Sequence, residues 1–281
     1  MKILKELVSS NDWFVLTGSG VSVDSGIPTY RNNDGKWMRS KPVEISDFLD
    51  SCEARKRFWL RNMLGWKFMS KAIPNSNHQY LSTLQQKGQL NCIVTQNVDG
   101  LHQKAGSSNV VDLHGRIDTV TCVTCGLKFS REYIQTLLIE KNPEFAEITG
   151  KILPDGDAKI DNVNYQSLMY QIAPIVEEFS SRIQYFLVKK FSSRIQYFLV
   201  NLSPKKIVER TFKLLDTSPG ILVIGSSLAT YSGYKYCRYA KENNKRVLII
   251  NKGPTRADDI ADIKVSEDCA LVLSGWLAEI N

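Results

Sequence analysis

Two glycines near the start of the chain stand where an α/β protein often holds a phosphate. Residues 13–16 have the length and bulk of a buried strand, and Gly18 and Gly20 follow directly. Glycine lets backbone N–H groups approach a phosphate that a side chain would block. Val23 stands where the usual dinucleotide fingerprint has its third glycine. The pair alone is therefore a weak signal, since a tight turn has the same glycines.

The loop continues into a stiff bend that ends in a guanidinium. Residues 25–28 read Ser-Gly-Ile-Pro, and Tyr30 and Arg31 follow shortly after. Arginine binds anions with a planar, always charged group. The bend strengthens the interpretation of residues 17–31 as an anion site.

Amide and carboxylate side chains follow the apolar segment 91–95. Gln96, Asn97 and Asp99 come directly after it. Open α/β sheets bind ligands at the carboxyl ends of their strands, so these groups could hydrogen-bond a ribose or an amide. Asn and Asp also form ordinary turns, and on these residues alone the two interpretations stay open.

One histidine stands at a strand end. His114 follows the apolar segment 109–113, and an imidazole suits general-base chemistry near neutral pH. A lone histidine is more often structural, but this position favours catalysis for His114. His78 reads as a residue at a helix start and His102 as a loop residue.

Two later turns carry small polar side chains. Ser226 and Ser227 follow the segment 221–225, and Asn251 ends the segment 246–251. Each suits a ribose or a phosphate, although each could be a structural turn. Together with the loop of Gly18 and Gly20 they make three polar turns that follow strands, and this favours a dinucleotide site.

Cys122 and Cys125 form a CxxC knuckle without a second pair at the same spacing. Structural zinc needs four ligands, so the knuckle is half a site whose partners are missing, and zinc is doubtful. A redox role would require a helix start after a strand, which the surrounding sequence does not obviously supply.

The elements that must position these residues alternate along the chain. Short apolar runs without alternation are typical of parallel strands that helices cover on both faces. These runs are 13–16, 91–95, 109–113, 221–225, 246–251 and 262–265. The alternation with helical patterns predicts an α/β fold with a doubly wound, Rossmann-like parallel sheet and a small inserted domain.

The predicted division has three parts. The sheet domain comprises residues 1–36, 76–118 and 201–281, a helical cap with the cofactor loop covers 37–75, and a small domain covers 119–200. The small domain contains one decamer, FSSRIQYFLV, twice, at 179–188 and 191–200. Periodicity does not decide between helix and strand there, and a duplication or a sequence error could also explain the repeat.

Composition excludes several classes of protein. The 281 residues have a net charge of +7 and are 43% hydrophobic, which is ordinary for a globular protein. No basic patch indicates nucleic acid, and no segment is long and apolar enough for a membrane span. Most cysteines are scattered, which favours free thiols in a reducing compartment. No transit or signal peptide is visible.

Together these motifs resemble the sirtuins, NAD-dependent protein-lysine deacylases. The resemblance covers about residues 4–175 and 201–281. Its motifs are TGSGVS, SGIPTYR, TQNVDGLH, LHG, CVTCG, GSSL and INKGPTRADD, in the order and spacing of the family. The segment RFWLRNMLGW, the PDGD turn and GPTRADD are similar to the class II branch, which includes a mitochondrial lipoamidase and ADP-ribosyltransferases.

The resemblance implies roles for the residues above. The catalytic residues are His114 as general base, with Asn97 and Asp99. The residues that contact NAD are Gly18, Ser19, Gly20, Ser22, Ile27, Pro28, Tyr30, Arg31, Gln96, Asn97, Asp99, Gly225, Ser226, Ser227, Asn251 and Cys269. The sheet domain would bind NAD, and the small domain would be a degenerate zinc module.

The implied reaction transfers the acyl group of an acyl-lysine protein to ADP-ribose and releases nicotinamide. The family has a second CxxC, but the matching residues 176–179 here lack sulfur, and the repeat replaces a substrate-tunnel segment. The alternative is therefore an impaired NAD- or ADP-ribose-binding pseudoenzyme, or an error in residues 176–200. The resemblance indicates the mitochondrial matrix, and the missing transit peptide leaves the cytoplasm as the alternative.

Overall fold

The computed structural model describes residues 2–29, 45–122, 127–148, 150–152, 158–159, 163–164, 166–169, 197–198 and 205–280. The chain forms two compact units. The first comprises residues Met1–Arg39, Ala72–Arg116 and Leu202–Asn281, and the second comprises Ser40–Lys71 and Ile117–Asn201.

The described residues contain eleven strands, and several helices alternate with them. The strands are β1 (Trp13–Thr17), β2 (Leu90–Thr95), β3 (Val110–Asp112), β4 (Thr119–Cys122), β5 (Lys128–Ser130), β6 (Lys151–Ile152), β7 (Ala158–Lys159), β8 (Tyr197–Phe198), β9 (Gly220–Ile224), β10 (Arg246–Ile250) and β11 (Ile263–Val265). The α-helices are α1 (Lys2–Val8), α2 (Ile45–Asp50), α3 (Cys52–Met69), α4 (Ser76–Gln86), α5 (Leu101–Lys104), α6 (Arg131–Lys141), α7 (Lys205–Thr217), α8 (Tyr231–Glu242) and α9 (Cys269–Glu279). The 3₁₀ helices are Ser19–Ser25 and Pro143–Phe145.

A six-stranded sheet organises the first unit. Its strand order is β11-β10-β9-β1-β2-β3, and every pairing in it is parallel. The predicted doubly wound α/β fold is confirmed. The crossover from β3 to β9 leaves β1 between β2 and β9, so loops distant in sequence become neighbours.

The two faces of β1 belong to two separate cores. Trp13 and Val15 pack in the core that α1, α4 and α9 line, whereas Phe14 and Leu16 pack against α7 and α8. Successive side chains of a strand point to opposite faces. Burial on both faces explains why the segment is apolar without alternation.

Helix α4 begins where the sequence indicates. The Asn75 side chain accepts a hydrogen bond from the Asn77 N–H, and Asn75 and His78 form a reciprocal capping box. Such caps satisfy backbone N–H groups that have no partner within the helix. The prediction that His78 lies at a helix start is confirmed.

The second unit has its own core. A three-stranded antiparallel sheet of order β5-β4-β8 and the pair β6-β7 accompany helices α2, α3 and α6. Arg131 is fully buried there, with its guanidinium 5.1 Å from the Trp66 ring and 5.8 Å from the Trp59 ring. Burial lowers the pKa of Arg131 to about 9. The guanidinium therefore lies close to two aromatic rings, and its Nη2 donates to the Asn62 carbonyl at 3.2 Å.

The predicted helical cap contributes α2 and α3 to this second unit. Of the duplicated decamer, the structure describes Tyr197 and Phe198, which pair with β4. The rest of the repeat and the PDGD turn lie outside the described residues. The three-part domain division stays a prediction. Among the helices described, none has the length and apolar character to cross a membrane.

Candidate functional site

The predicted site residues of the first unit follow strands that all run in the same direction. Gly18 follows β1, Gln96 follows β2, His114 lies just beyond β3, Gly225 follows β9 and Asn251 follows β10. Because parallel strands end at the same edge of a sheet, the five loops meet there.

The loop after β1 packs closely against the loop after β9. A Cβ atom on Gly18 would lie 2.7 Å from the Ser226 Cβ, and one on Gly20 would lie 2.7 Å from the Gly225 Cα. The Gly18 N–H donates to the Ile224 carbonyl at 3.1 Å, and the Gly20 N–H donates to the Gly225 carbonyl at 2.8 Å.

The physical reason for the two glycines therefore differs from the sequence interpretation. Their N–H groups bind carbonyl oxygens of the protein, so these two donors are not directed at a phosphate. A side chain at Gly18 would collide with Ser226, and one at Gly20 would collide with the Gly225 backbone. Gly225 also has a φ of +60°, which favours glycine.

A buried hydrogen-bond network lies under the first loop. The Ser22 hydroxyl donates to Asp99 Oδ2 at 2.7 Å, and Asn97 Nδ2 donates to Ser22 Oγ at 3.0 Å and to the Gly18 carbonyl at 3.1 Å. Ser22 is fully buried, and Asn97 and Asp99 are 9% and 8% exposed. The network joins the loop after β1 to the loop after β2, so the three side chains hold the loop in place.

Two histidines extend this network. The sequence analysis named both residues but did not place them in it. His78 Nε2 lies 3.4 Å from Ser22 Oγ, and His102 Nε2 lies 2.9 Å from Thr17 Oγ1. The two imidazole rings are 4.9 Å apart. Burial lowers the pKa of His78 to about 4 and that of His102 to about 3, so both are neutral near pH 7. The position of His102 in the same motif as Asp99 was the available signal.

His114 has a different environment. Its Nδ1 lies 3.0 Å from the Gln96 carbonyl oxygen. Since a carbonyl only accepts, Nδ1 carries the proton and Nε2 keeps its lone pair. Burial lowers the pKa of His114, the Gln96 carbonyl opposes this, and the charge of Lys235 lowers it further. The imidazole is therefore neutral near neutral pH and can act as a base at Nε2.

The Gln96 side chain is held by polar groups on the neighbouring loop. Its Nε2 donates to Thr230 Oγ1 at 3.0 Å, and its Oε1 accepts from the Ser226 hydroxyl at 2.6 Å. A Cβ atom on Gly233 would lie 2.7 Å from Gln96 Nε2, so glycine leaves room for the amide. Thr230, Ser232 and Gly233 were missed by sequence reasoning, although they follow the GSSL motif directly.

The predicted adenosine side lies on the loops after β9 and β10. The Ser227 carbonyl accepts from the Arg256 N–H at 2.9 Å, and Asn251 Nδ2 donates to the Gly253 carbonyl at 2.9 Å. Ser227 and Asn251 are both half-buried. Burial raises the pKa of Cys269 to about 12, so this thiol is neutral and packs as a small apolar group.

The remaining predicted residues are divided between described and undescribed parts of the chain. Ile27 is buried, and Ser19 and Pro28 are half-buried. Tyr30, Arg31, Cys125 and the Cys122 side chain lie outside the described residues. Within the described ranges, no group of three or more His, Cys, Asp or Glu side chains is arranged for a metal ion. The zinc prediction concerns residues beyond those ranges.

The residues at this edge fit a dinucleotide. Half-buried hydroxyl and amide groups of Ser19, Ser227 and Asn251 follow three adjacent strands, and Gly20 between them has no side chain. Ribose hydroxyls and phosphates need such donors and acceptors, and an adenine needs a small apolar neighbour. Cys269 is a small apolar group of the second kind, and His114 is a neutral base.

Comparison with known proteins identifies relatives over most of the chain. The model of the Sir2 family matches residues 18–232. An NAD-dependent protein deacetylase of Xanthomonas axonopodis pv. citri is 39% identical over 262 residues, which are 93% of this chain and 85% of that protein. The NAD-dependent protein deacylase Sirt4 of Drosophila melanogaster is 37% identical, over 95% of this chain and 83% of that protein.

A solved structure has the same fold. It is described as "Sir2-p53 peptide-NAD+" and is 26% identical to this chain. The superposition has a TM-score of 0.65 and covers 99% of this chain and 97% of the other.

Proposed function

Because the chain belongs to the Sir2 family, the sirtuins, we propose that it is an NAD-dependent protein-lysine deacylase. It transfers the acyl group of an acyl-lysine protein to ADP-ribose and releases nicotinamide. The observation that carries this proposal is the His114 imidazole, whose Nδ1 faces the Gln96 carbonyl and whose Nε2 keeps a lone pair. It stands at the same sheet edge as the glycine loop.

We assign the protein groups at this edge to binding and to proton transfer. NAD, when bound, supplies an electrophilic ribose carbon and a ribose hydroxyl that must lose a proton. His114 Nε2 accepts that proton. Asn97 and Asp99 hold the glycine loop through Ser22, and they would contact the nicotinamide and its ribose.

The adenosine half would be held on the other side of β1. Ser226, Ser227 and Asn251 supply hydroxyl and amide groups, and Gly225 lets the two loops meet. Ser19 would contact the phosphates, and Gly18 and Gly20 would border them without a side chain. Ile27 and Pro28 would lie beside the nicotinamide. Tyr30 and Arg31 keep their predicted roles in the cofactor loop. Orienting two bound substrates supplies much of the rate enhancement in such a transfer.

We also propose roles for the two parts of the chain. The sheet unit is the NAD domain, and residues 119–200 form the small domain with a zinc half-site at Cys122 and Cys125. We extend the proposal to lipoamidase and ADP-ribosyltransferase activities of this chain. Relatives from bacteria and an animal are compatible with either a mitochondrial or a cytoplasmic location.

The test is a product analysis with acetyl-, longer acyl- and lipoyl-lysine peptides. The wild-type protein is expected to form acyl-ADP-ribose and nicotinamide in equal amounts, and only when NAD is present. His114→Ala should reduce turnover by about 10²–10⁴-fold, which is the usual contribution of a general base, and should keep NAD affinity.

Two other results would contradict the proposal. Binding of NAD by calorimetry without turnover of any peptide would refute the deacylase and favour the pseudoenzyme. Turnover that is equal in wild-type protein and His114→Ala would refute the assignment of the base.

A further inference from the structure

Both nitrogens of His114 connect back to one residue, Gln96. Nδ1 contacts the Gln96 backbone carbonyl at 3.0 Å. Nε2 lies 2.9 Å from Ser232 Oγ, which lies 3.1 Å from Thr230 Oγ1. Thr230 Oγ1 in turn accepts from Gln96 Nε2 at 3.0 Å. The four residues form a closed ring of hydrogen bonds that holds the plane of the imidazole.

The chemistry of the two ends decides where the protons lie. The Gln96 carbonyl is an acceptor only, so Nδ1–H donates to it and the neutral imidazole has its lone pair at Nε2. The Ser232 hydroxyl then donates to Nε2. The Gln96 amide nitrogen is a donor only, so the Thr230 hydroxyl keeps its own hydrogen for Ser232 or for water.

Protonation of Nε2 reverses this chain. The imidazolium N–H donates to Ser232 Oγ, and the Ser232 hydroxyl donates to Thr230 Oγ1, as its geometry allows. Thr230 is exposed, whereas Ser232 and His114 are half-buried. The ring therefore leads from the base to solvent through two hydroxyl groups.

We propose that Ser232 and Thr230 form a proton relay that carries the proton accepted by His114 to solvent; this inference rests on the proposed deacylase function. The N–H bond at Nε2 breaks as an O–H bond forms at Ser232. The former Ser232 proton passes to Thr230, and the former Thr230 proton passes to water. Each hydroxyl loses one proton and gains one, so both end neutral and the imidazole is again a base.

The charge near His114 also disfavours a proton that stays on the imidazole. The charge of Lys235 on α8 disfavours the imidazolium of His114. A proton that stayed on Nε2 would meet this repulsion. The relay moves it from half-buried Ser232 to exposed Thr230.

The test uses Ser232→Ala and Thr230→Val, which each remove one hydroxyl, and Ser232→Thr, which keeps it. Ser9→Ala is the matched control, because Ser9 is exposed and contacts the Glu6 carbonyl far from the site. We expect the two hydroxyl deletions to lower kcat by roughly tenfold, a part of the usual general-base contribution. In Ser232→Ala the KM for NAD should stay unchanged, and Ser232→Thr should restore kcat.

Two readouts distinguish a relay from a merely structural role. High concentrations of a small buffer acid-base pair should restore kcat in Ser232→Ala and Thr230→Val, since buffer can take the proton directly. In the free protein, NMR titration of the His114 ring should show a lower pKa in Ser232→Ala than in wild type. The imidazolium loses a charge-assisted hydrogen bond, which is stronger than the neutral one.

The outcomes separate the two proposals. Wild-type turnover with a Ser232→Ala loss that buffer does not restore would overturn the relay alone. An unchanged His114 titration in Ser232→Ala would overturn the contact on which the relay depends, even in protein without NAD. Absence of NAD-dependent turnover in the wild type would overturn the deacylase and the relay with it.

Discussion

Replacing Ser22 by alanine should destabilise the protein because three polar groups converge on its buried hydroxyl. The Ser22 hydroxyl donates to Asp99 Oδ2 at 2.7 Å, accepts from Asn97 Nδ2 at 3.0 Å, and lies 3.4 Å from His78 Nε2. A hydrogen bond to a charged group contributes about 1.5–3 kcal/mol, and a neutral one about 0.5–1.5 kcal/mol.

The expected loss follows from these contacts. Asn97 Nδ2 keeps its bond to the Gly18 carbonyl, so the second contribution lies at the low end. The long contact to His78 adds little. Ser22→Ala should therefore lower the free energy of unfolding by about 2–4 kcal/mol, measured by urea denaturation of the protein without NAD.

Ser82 offers a matched control. It is 3% exposed on α4, and its hydroxyl has no hydrogen-bond partner among the described residues. Removing an unsatisfied buried hydroxyl from a helix is neutral or stabilising, by up to about 1 kcal/mol. Equal destabilisation by Ser22→Ala and Ser82→Ala would refute the reasoning, because burial rather than hydrogen bonding would then decide the cost.

Two further predictions concern the buried histidine and the glycine loop. Burial lowers the pKa of His102 from 6.5 to about 3, so the unfolded chain binds more protons between these values. The contribution of His102 to the free energy of unfolding is complete above pH 6.5. It decreases as the pH is lowered, by up to about 1.4 kcal/mol per pH unit. His102→Gln should flatten unfolding free energy against pH below 6.5; an unchanged slope would contradict it. Gly20→Ala places a Cβ 2.7 Å from the Gly225 backbone and should cost about 1–3 kcal/mol and weaken NAD binding. Gly88→Ala meets nothing within 4 Å at a φ of +73° and should cost about 1–2 kcal/mol, while calorimetry should show unchanged NAD affinity. Equal NAD affinities of the two variants would refute the role of the loop contact.

The sequence was sufficient to predict the six strands of the parallel sheet, the helix start at His78 and the loops that carry polar side chains. Continuous apolar runs such as 13–16 require burial on both faces, and Asn75 and His78 cap α4 through residues that are close in sequence. These features depend on residues that are close in sequence, so they can be predicted from the sequence.

Which loops are in contact, and what the glycines in them do, depends on the tertiary structure. The order β11-β10-β9-β1-β2-β3 brings Gly20 against Gly225, so the glycines serve close packing of two loops rather than open N–H donors. Ser22 and Asp99 are 77 positions apart, and His114 and Ser232 are 118 positions apart. Such contacts depend on strand order and register, which neither periodicity nor motif spacing encodes.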